Sequence, residues 1–387
     1  MSGPLLPYGR QTIEDDDIAA VTEALRADFL TTGPTVAAFE RAFAEAVGAR
    51  HAVACANGTA ALHLAMLALD VKPGEAVIVP SITFLATANC ARYVGADVVF
   101  ADVDPDSGLM TPGALAEALG RLEGRRLRAV LPVHLRGDAC DLPGLEALAR
   151  DAGAVLVEDA PHALGTTMSF GNTAETVGDV RHSAMATFSF HPVKTIATGE
   201  GGMVTTNDAR LAERLRTLRS HGMVRPPDAD PWWYEMPEPG FNYRLPDILC
   251  ALGLSQLAKL PRFAARRRAL AAAYRVALAP LAPGVRIAAQ PAWSDPVLHL
   301  MTVLIDFPAV GRTRRDVVEA LRAKGVGSQV HYIPVHRQPY YQGLYGATEL
   351  PGAEAWYGRC LSLPLYPGMT DDDVARVTEA LGAALGL

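Results

Sequence analysis

The chain has 387 residues, 50% of them hydrophobic and 20% charged, enough to bury a large core with a smaller one beside it. Its 35 Lys and Arg against 42 Asp and Glu leave a net charge of −7, which offers no general attraction to nucleic acid or anionic membranes. Five scattered cysteines, none spaced as CxxC, argue against a disulfide framework and a zinc ribbon and point to a reducing, cytoplasmic setting.

The N-terminus, MSGPLLPYGRQTIEDDD, turns acidic before a signal-peptide core could form, and no apolar run reaches the roughly 18 residues needed to span a bilayer. Ile18, Val21, Leu25 and Phe29 share one helical face after a possible Thr12/Asp15 capping box, so residues 1–49 read as a helical segment. From residue 50 to residue 247, the short runs HAVACA, AVIVP, DVVFAD, AVLPVH, AVLVED, MATFSF and GMVTT alternate with helical patterns. That alternation predicts a large α/β domain whose sheet is mainly parallel. Residues 248–387 read as a smaller α+β domain: a long helical stretch from Asp247 to Leu278, strand-like VLHLMTVLID, a helix near Thr313 to Lys324, and GSQVHYIPV.

Parallel sheets place ligands at the carboxyl ends of their strands, and three of the following loops carry chemistry. After HAVACA, Asn57-Gly58-Thr59-Ala60 opens a helix whose free N–H groups and hydroxyl suit an anion, although an ordinary helix cap reads equally well. After AVLVE stands Asp159, costly to bury unless a cation or donor meets it; a protonated pyridine would be such a cation, and a helix cap is the plain alternative. After MATFSF comes Lys194, five positions past Ser189 and just before Gly199, Gly201 and Gly202. A partly desolvated lysine has the lowered pKa that Schiff-base chemistry requires, whereas a lone lysine is more often a surface charge. Together the three are the parts needed to hold pyridoxal phosphate (PLP).

VEDAPHALG, FSFHPVKTIATGEGG, FNYRLPDILCALGLSQL and the N-terminal PYGRQ with LTTGP resemble the DegT/StrS-type sugar aminotransferases, fold-type I PLP enzymes. The resemblance runs from Pro7 to about Gly368. Within the family, SFHPVKTIATGEGG, RSHGM, VHYIPVH and LSLPLYPG are most similar to the PseC-type enzymes that aminate C4 of a UDP-linked 4-keto-6-deoxy-N-acetylhexosamine, with L-glutamate as donor, in pseudaminic-acid-type biosynthesis.

The resemblance implies that Lys194 binds the cofactor covalently and moves the proton between cofactor and substrate. It implies that Asp159 pairs with the pyridine N–H, that Phe84 stacks on the ring, and that His162 lies beside it. Gly58, Thr59 and Ser189 would hold the phosphate. Asn242 would reach that phosphate from a second subunit, making the active unit a homodimer with shared sites. Tyr8, Arg10, Thr31, Thr32, His331 and Tyr332 fall where the family frames the nucleotide sugar, and Arg244 meets a carboxylate or a structural partner.

His331 and His336 do not read as metal ligands: five apart in an extended segment they point to opposite faces, and Pro334 supplies no third ligand. Two rival functions are disfavoured. A dehydratase of this family has histidine in place of the lysine, and a non-catalytic relative would lack Lys194 or Asp159, yet both are present. A dTDP-linked 3-keto or 4-keto sugar remains the alternative substrate.

Overall fold

Valine- and alanine-rich runs buried on both faces build the central layer of the computed structural model, which describes residues 5–171 and 173–387. The first four residues of the N-terminal segment thus lie outside the described residues. In chain order the strands are β1 His51–Cys55, β2 Ala76–Pro80, β3 Asp97–Ala101, β4 Leu127–Val130, β5 Val155–Asp159, β6 Thr167–Phe170, β7 Thr173–Thr176, β8 Met185–Ser189 and β9 Gly202–Thr206. Beyond them follow β10 Val285–Ile287, β11 Ser294–Asp295, β12 Met301–Ile305 and β13 Cys360–Leu363.

The main sheet has seven strands in the order β1-β9-β8-β5-β4-β2-β3. Only β9 runs against the others, pairing antiparallel with β1 and β8, so the sheet is mainly parallel. Each strand run read from the sequence falls in this sheet. β2, AVIVP, is buried at all five positions, as a strand covered on both faces must be.

A second sheet, β10-β12-β13, packs with the helices Leu260–Leu278 and Asp371–Leu385 in an apolar cluster of its own. A third, β11-β6-β7, joins a strand near residue 294 to a hairpin of the α/β part. The helical stretch expected from Asp247 to Leu278 is two helices, Asp247–Ala258 and Leu260–Leu278. Pro261, in the first turn of the second, has no N–H to continue the first ladder. Among the described residues no helix is long and apolar enough to cross a membrane.

The first helix differs from its expectation. It spans Asp15–Arg26 with Glu14, not Thr12, at its N-cap, and the Asp17 carboxylate accepts the Glu14 N–H at 2.9 Å. Asp17 is drawn inward because Ser255 Oγ and Gln256 Nε2 donate to it and Lys259 Nζ lies 2.7 Å away. That cluster turns the polar edge of the helix toward the body of the protein. Ile18 and Leu25 of the expected apolar face are left 58% and 57% exposed, and Phe29 lies past the helix end.

Candidate active site

The loops after β1, β5 and β8 converge on a cavity of about 650 Å³, closed on its other side by Tyr8, residues 329–333 and Gln338. Lys194, Asp159, Gly58, Thr59, Ser189, Phe84, His162, Tyr8, His331 and Tyr332 all line it. Arg10, Thr31, Asn242 and Arg244 do not. Asn242 and Thr31 are exposed on the surface, whereas Arg244 lines a separate cavity of about 390 Å³ with Thr32, Arg216, Arg219 and Glu40.

Lys194 sits in a turn, its N–H donating to His191 O at 2.8 Å. Its residual exposure is to the cavity, and burial lowers its pKa to about 8 against the opposing pull of Asp159. The chain has four lysines. Lys72 and Lys324 are exposed, and Lys259 is tied up with Glu14, Asp16 and Asp17, so among the described residues Lys194 alone offers an amine to the cavity.

Asp159 ends β5 at 5% exposure, and burial pushes its carboxyl pKa up while the Thr87 hydroxyl, Lys194 and His134 pull it back. Thr87 Oγ1 donates to Oδ2 at 2.5 Å, and Oδ1 has no protein donor among the described residues.

The helix Gly58–Ala68 begins at the cavity with Asn57 as N-cap, its Oδ1 accepting the Ala60 N–H. The N–H groups of Gly58 and Thr59, in the first turn, have no intrahelical acceptor and form the positive end of the helix dipole. Gly202 explains part of the glycine cluster after Lys194: a Cβ there would meet Asn57 O at 2.3 Å, so β9 passes this loop only as bare backbone.

Three neutral imidazoles complete the wall. Burial, with neighbouring positive charge, holds His162 and His299 well below the ordinary histidine value and His331 at about 3. The His162 and His299 rings lie 4.6 Å apart, and His162 Nε2 is 3.2 Å from the Tyr332 hydroxyl. His331 Nδ1 engages Ser362, whereas His336 Nδ1 engages Ser81. Among the described residues no group of three or more His, Cys, Asp or Glu is arranged to hold a metal.

Sequence reasoning missed Thr83, Thr87 and His299. The signal for His299 was a histidine inside the apolar run VLHLMTVLID; the two threonines in SITFLAT gave none.

With a lysine, a strand-end carboxylate and an open helix start around one cavity, comparison with known proteins is decisive. The sequence pattern of the DegT/DnrJ/EryC1/StrS aminotransferases matches residues 11–382. The chain belongs to that family. The aminotransferase is 40% identical to the spore coat polysaccharide biosynthesis protein SpsC of Bacillus subtilis (strain 168), over 97% of this chain and 96% of that protein. In structure it resembles Helicobacter pylori PseC, an aminotransferase involved in the biosynthesis of pseudoaminic acid, with a TM-score of 0.90 and 29% identity over 99% of each chain. It likewise resembles the PMP form of a putative sugar aminotransferase from Streptococcus pneumoniae, with a TM-score of 0.89 and 26% identity over 98% of this chain and 99% of that one.

Aminotransferases of this family depend on PLP. The residues of this aminotransferase fit that cofactor. Among the described residues the cavity holds the amine of Lys194, the buried strand-end carboxylate of Asp159 with an open oxygen, and a helix start at Gly58 where a side chain would collide with Ser189.

Proposed function

We propose that this chain transfers an amino group from L-glutamate to C4 of a UDP-linked 4-keto-6-deoxy-N-acetylhexosamine, as a homodimer with shared sites. The observation that carries the chemistry is the meeting of Lys194, Asp159 and the open helix start at Gly58 in one cavity. The similarity to PseC and SpsC, proteins of pseudoaminic acid and spore coat polysaccharide biosynthesis, supports a sugar as acceptor.

When bound, PLP supplies an electron-withdrawing ring that stabilises negative charge on the carbon next to the transferred nitrogen. Lys194 would hold the cofactor and carry the proton at Nζ; with a pKa near 8 the amine both loses and regains it close to neutral pH. Asp159 would meet the ring nitrogen through Oδ1. Gly58, Thr59 and Ser189 would hold the phosphate by N–H and hydroxyl donors. Phe84, 58% exposed at the cavity and 6.2 Å from the Tyr332 ring, would cover one ring face and exclude water. His162 would sit beside the ring, its Nδ1 buried and without a hydrogen-bond partner among the described residues.

Tyr8, His331 and Tyr332 would frame the sugar. The exposure of Asn242 and the arginine-lined cavity around Arg244 support completion of each site by a second copy. Arg10 and Thr31, exposed outside the cavity of one chain, would frame the sugar once a second copy completes the site. Five unpaired, buried cysteines support a cytoplasmic setting.

The test is a panel of UDP- and dTDP-linked 3-keto and 4-keto sugars incubated with enzyme and L-glutamate, with products assigned by NMR. The expected result is amination at C4 of the UDP-linked hexosamine. Turnover confined to dTDP sugars, or to C3, overturns the substrate assignment but leaves the aminotransferase chemistry intact.

A further inference from the structure

Asp159 is anchored by its backbone, its N–H donating to Pro132 O at 2.9 Å and its carbonyl accepting from His134 N at 3.1 Å. The carboxylate itself is treated asymmetrically, with the Thr87 hydroxyl on Oδ2 and no protein donor on Oδ1 among the described residues. Thr87 Oγ1 is also 2.7 Å from Thr83 Oγ1. Both threonines are almost wholly buried, at 2% and 0% exposure, and both border the cavity.

A hydroxyl carries one proton. An ionised Asp159 can only accept, so Thr87 gives it its proton and the proton between the two threonines comes from Thr83. The chain therefore runs from Thr83 to Thr87 to the carboxylate, and a hydroxyl that accepts one hydrogen bond donates a stronger one. Thr87 also lies in the first turn of the helix Leu85–Tyr93, where the helix dipole favours an anion. A protonated Asp159 would reverse the chain, donating to Thr87 and leaving the Thr83 hydroxyl to find an acceptor other than Thr87.

We propose that Thr87, backed by Thr83, is a positioning residue that keeps Asp159 ionised with Oδ1 open toward the cavity, so that the protein selects a cofactor ring bearing a protonated nitrogen. The inference rests on the reading of Asp159 as partner of that nitrogen. In this role Thr83 and Thr87 act through the carboxylate.

The test measures Kd of the cofactor-free protein for PLP and for its carbocyclic 1-deaza analogue, which keeps aldehyde and phosphate but lacks the ring nitrogen. Wild type should prefer PLP. Loss of a hydrogen bond to a buried charge should cut that preference roughly tenfold or more in Thr87→Val, while Thr87→Ser retains it. Thr83→Val, which removes only the backing hydroxyl, should cut it about two- to threefold. An unchanged preference in Thr87→Val, or equal losses for both compounds, overturns the relay. If Thr87→Val does not fold, Thr83→Val decides by the same criterion. A wild type that binds both compounds equally overturns the role of Asp159 itself, a failure distinct from that of the relay.

Discussion

A Cβ atom added to Gly58 would stand 2.8 Å from Cβ of Ser189, so the helix start after β1 and the end of β8 meet with no room for a methyl group. The expected phosphate donors share this seam. Gly58→Ala should preserve the helix, since alanine is the better helix former, yet push Ser189 aside. PLP and inorganic phosphate should both bind the variant roughly tenfold more weakly or worse, the scale of one or more lost hydrogen bonds to a charged group. Titration of the cofactor-free protein with each compound checks this; unchanged phosphate binding moves the cradle elsewhere.

Capture of PLP by the cofactor-free protein should depend on the charge of Lys194. Its lowered pKa, about 8, means that the neutral amine needed for addition to the aldehyde is scarce at pH 6 and dominant above pH 9. The capture rate, followed by stopped-flow absorbance, should rise with pH through about 8 and then level off. Lys194→Ala should show no capture, and borohydride should fix no mass on it. A persistent adduct at another lysine would remove Lys194 from its role.

Arg136 and Asp138 form an ion pair at 1% and 0% exposure, and Arg136 also donates to the carbonyls of Ala288 and Ala289. The pair thus fastens the segment after β4 to the chain beyond β10. Asp138→Ala leaves the guanidinium buried without its counter-charge, a loss on the order of 3–5 kcal/mol in folding free energy. Urea denaturation measures it, and a loss below about 1 kcal/mol would show that water or rearrangement satisfies the arginine.

His182 lies between Glu146 and Glu175, with Nδ1 at 2.7 Å from the first carboxylate and Nε2 at 3.2 Å from the second. Burial opposes its charge, but the two carboxylates outweigh that and raise its pKa. A raised folded-state pKa contributes stability in full below the ordinary histidine value and loses it as pH rises through the folded value. His182→Gln should therefore lower the thermal midpoint more at pH 6 than at pH 9. An equal difference at both pH values would mean that the ring acts by packing against Phe170 alone.

The proposed homodimer with shared sites predicts complementation between subunits. Pairing a Lys194→Ala chain with an Asn242→Ala chain places both lesions in one site and neither in the other. After verified subunit exchange, activity of the mixture should exceed that of either parent. No gain, or a fully active monomer, would sink the two-chain site.

The seven strands of the main sheet and the positions of Gly58, Asp159 and Lys194 were legible in the sequence. Strand runs buried on both faces carry their own signature, and a parallel sheet delivers the residues after them to one edge. What folding partners decide was not legible. The Thr87–Asp159 hydrogen bond joins residues 72 positions apart, and the His162–Tyr332 contact joins residues 170 apart. The first helix shows the limit most plainly: its apolar pattern foretold a buried face, but Lys259, Ser255 and Gln256 drew Asp17 inward instead. Periodicity records which residues lie on one side of an element; which side turns inward depends on charges and hydrogen-bond donors that only the tertiary structure brings beside it.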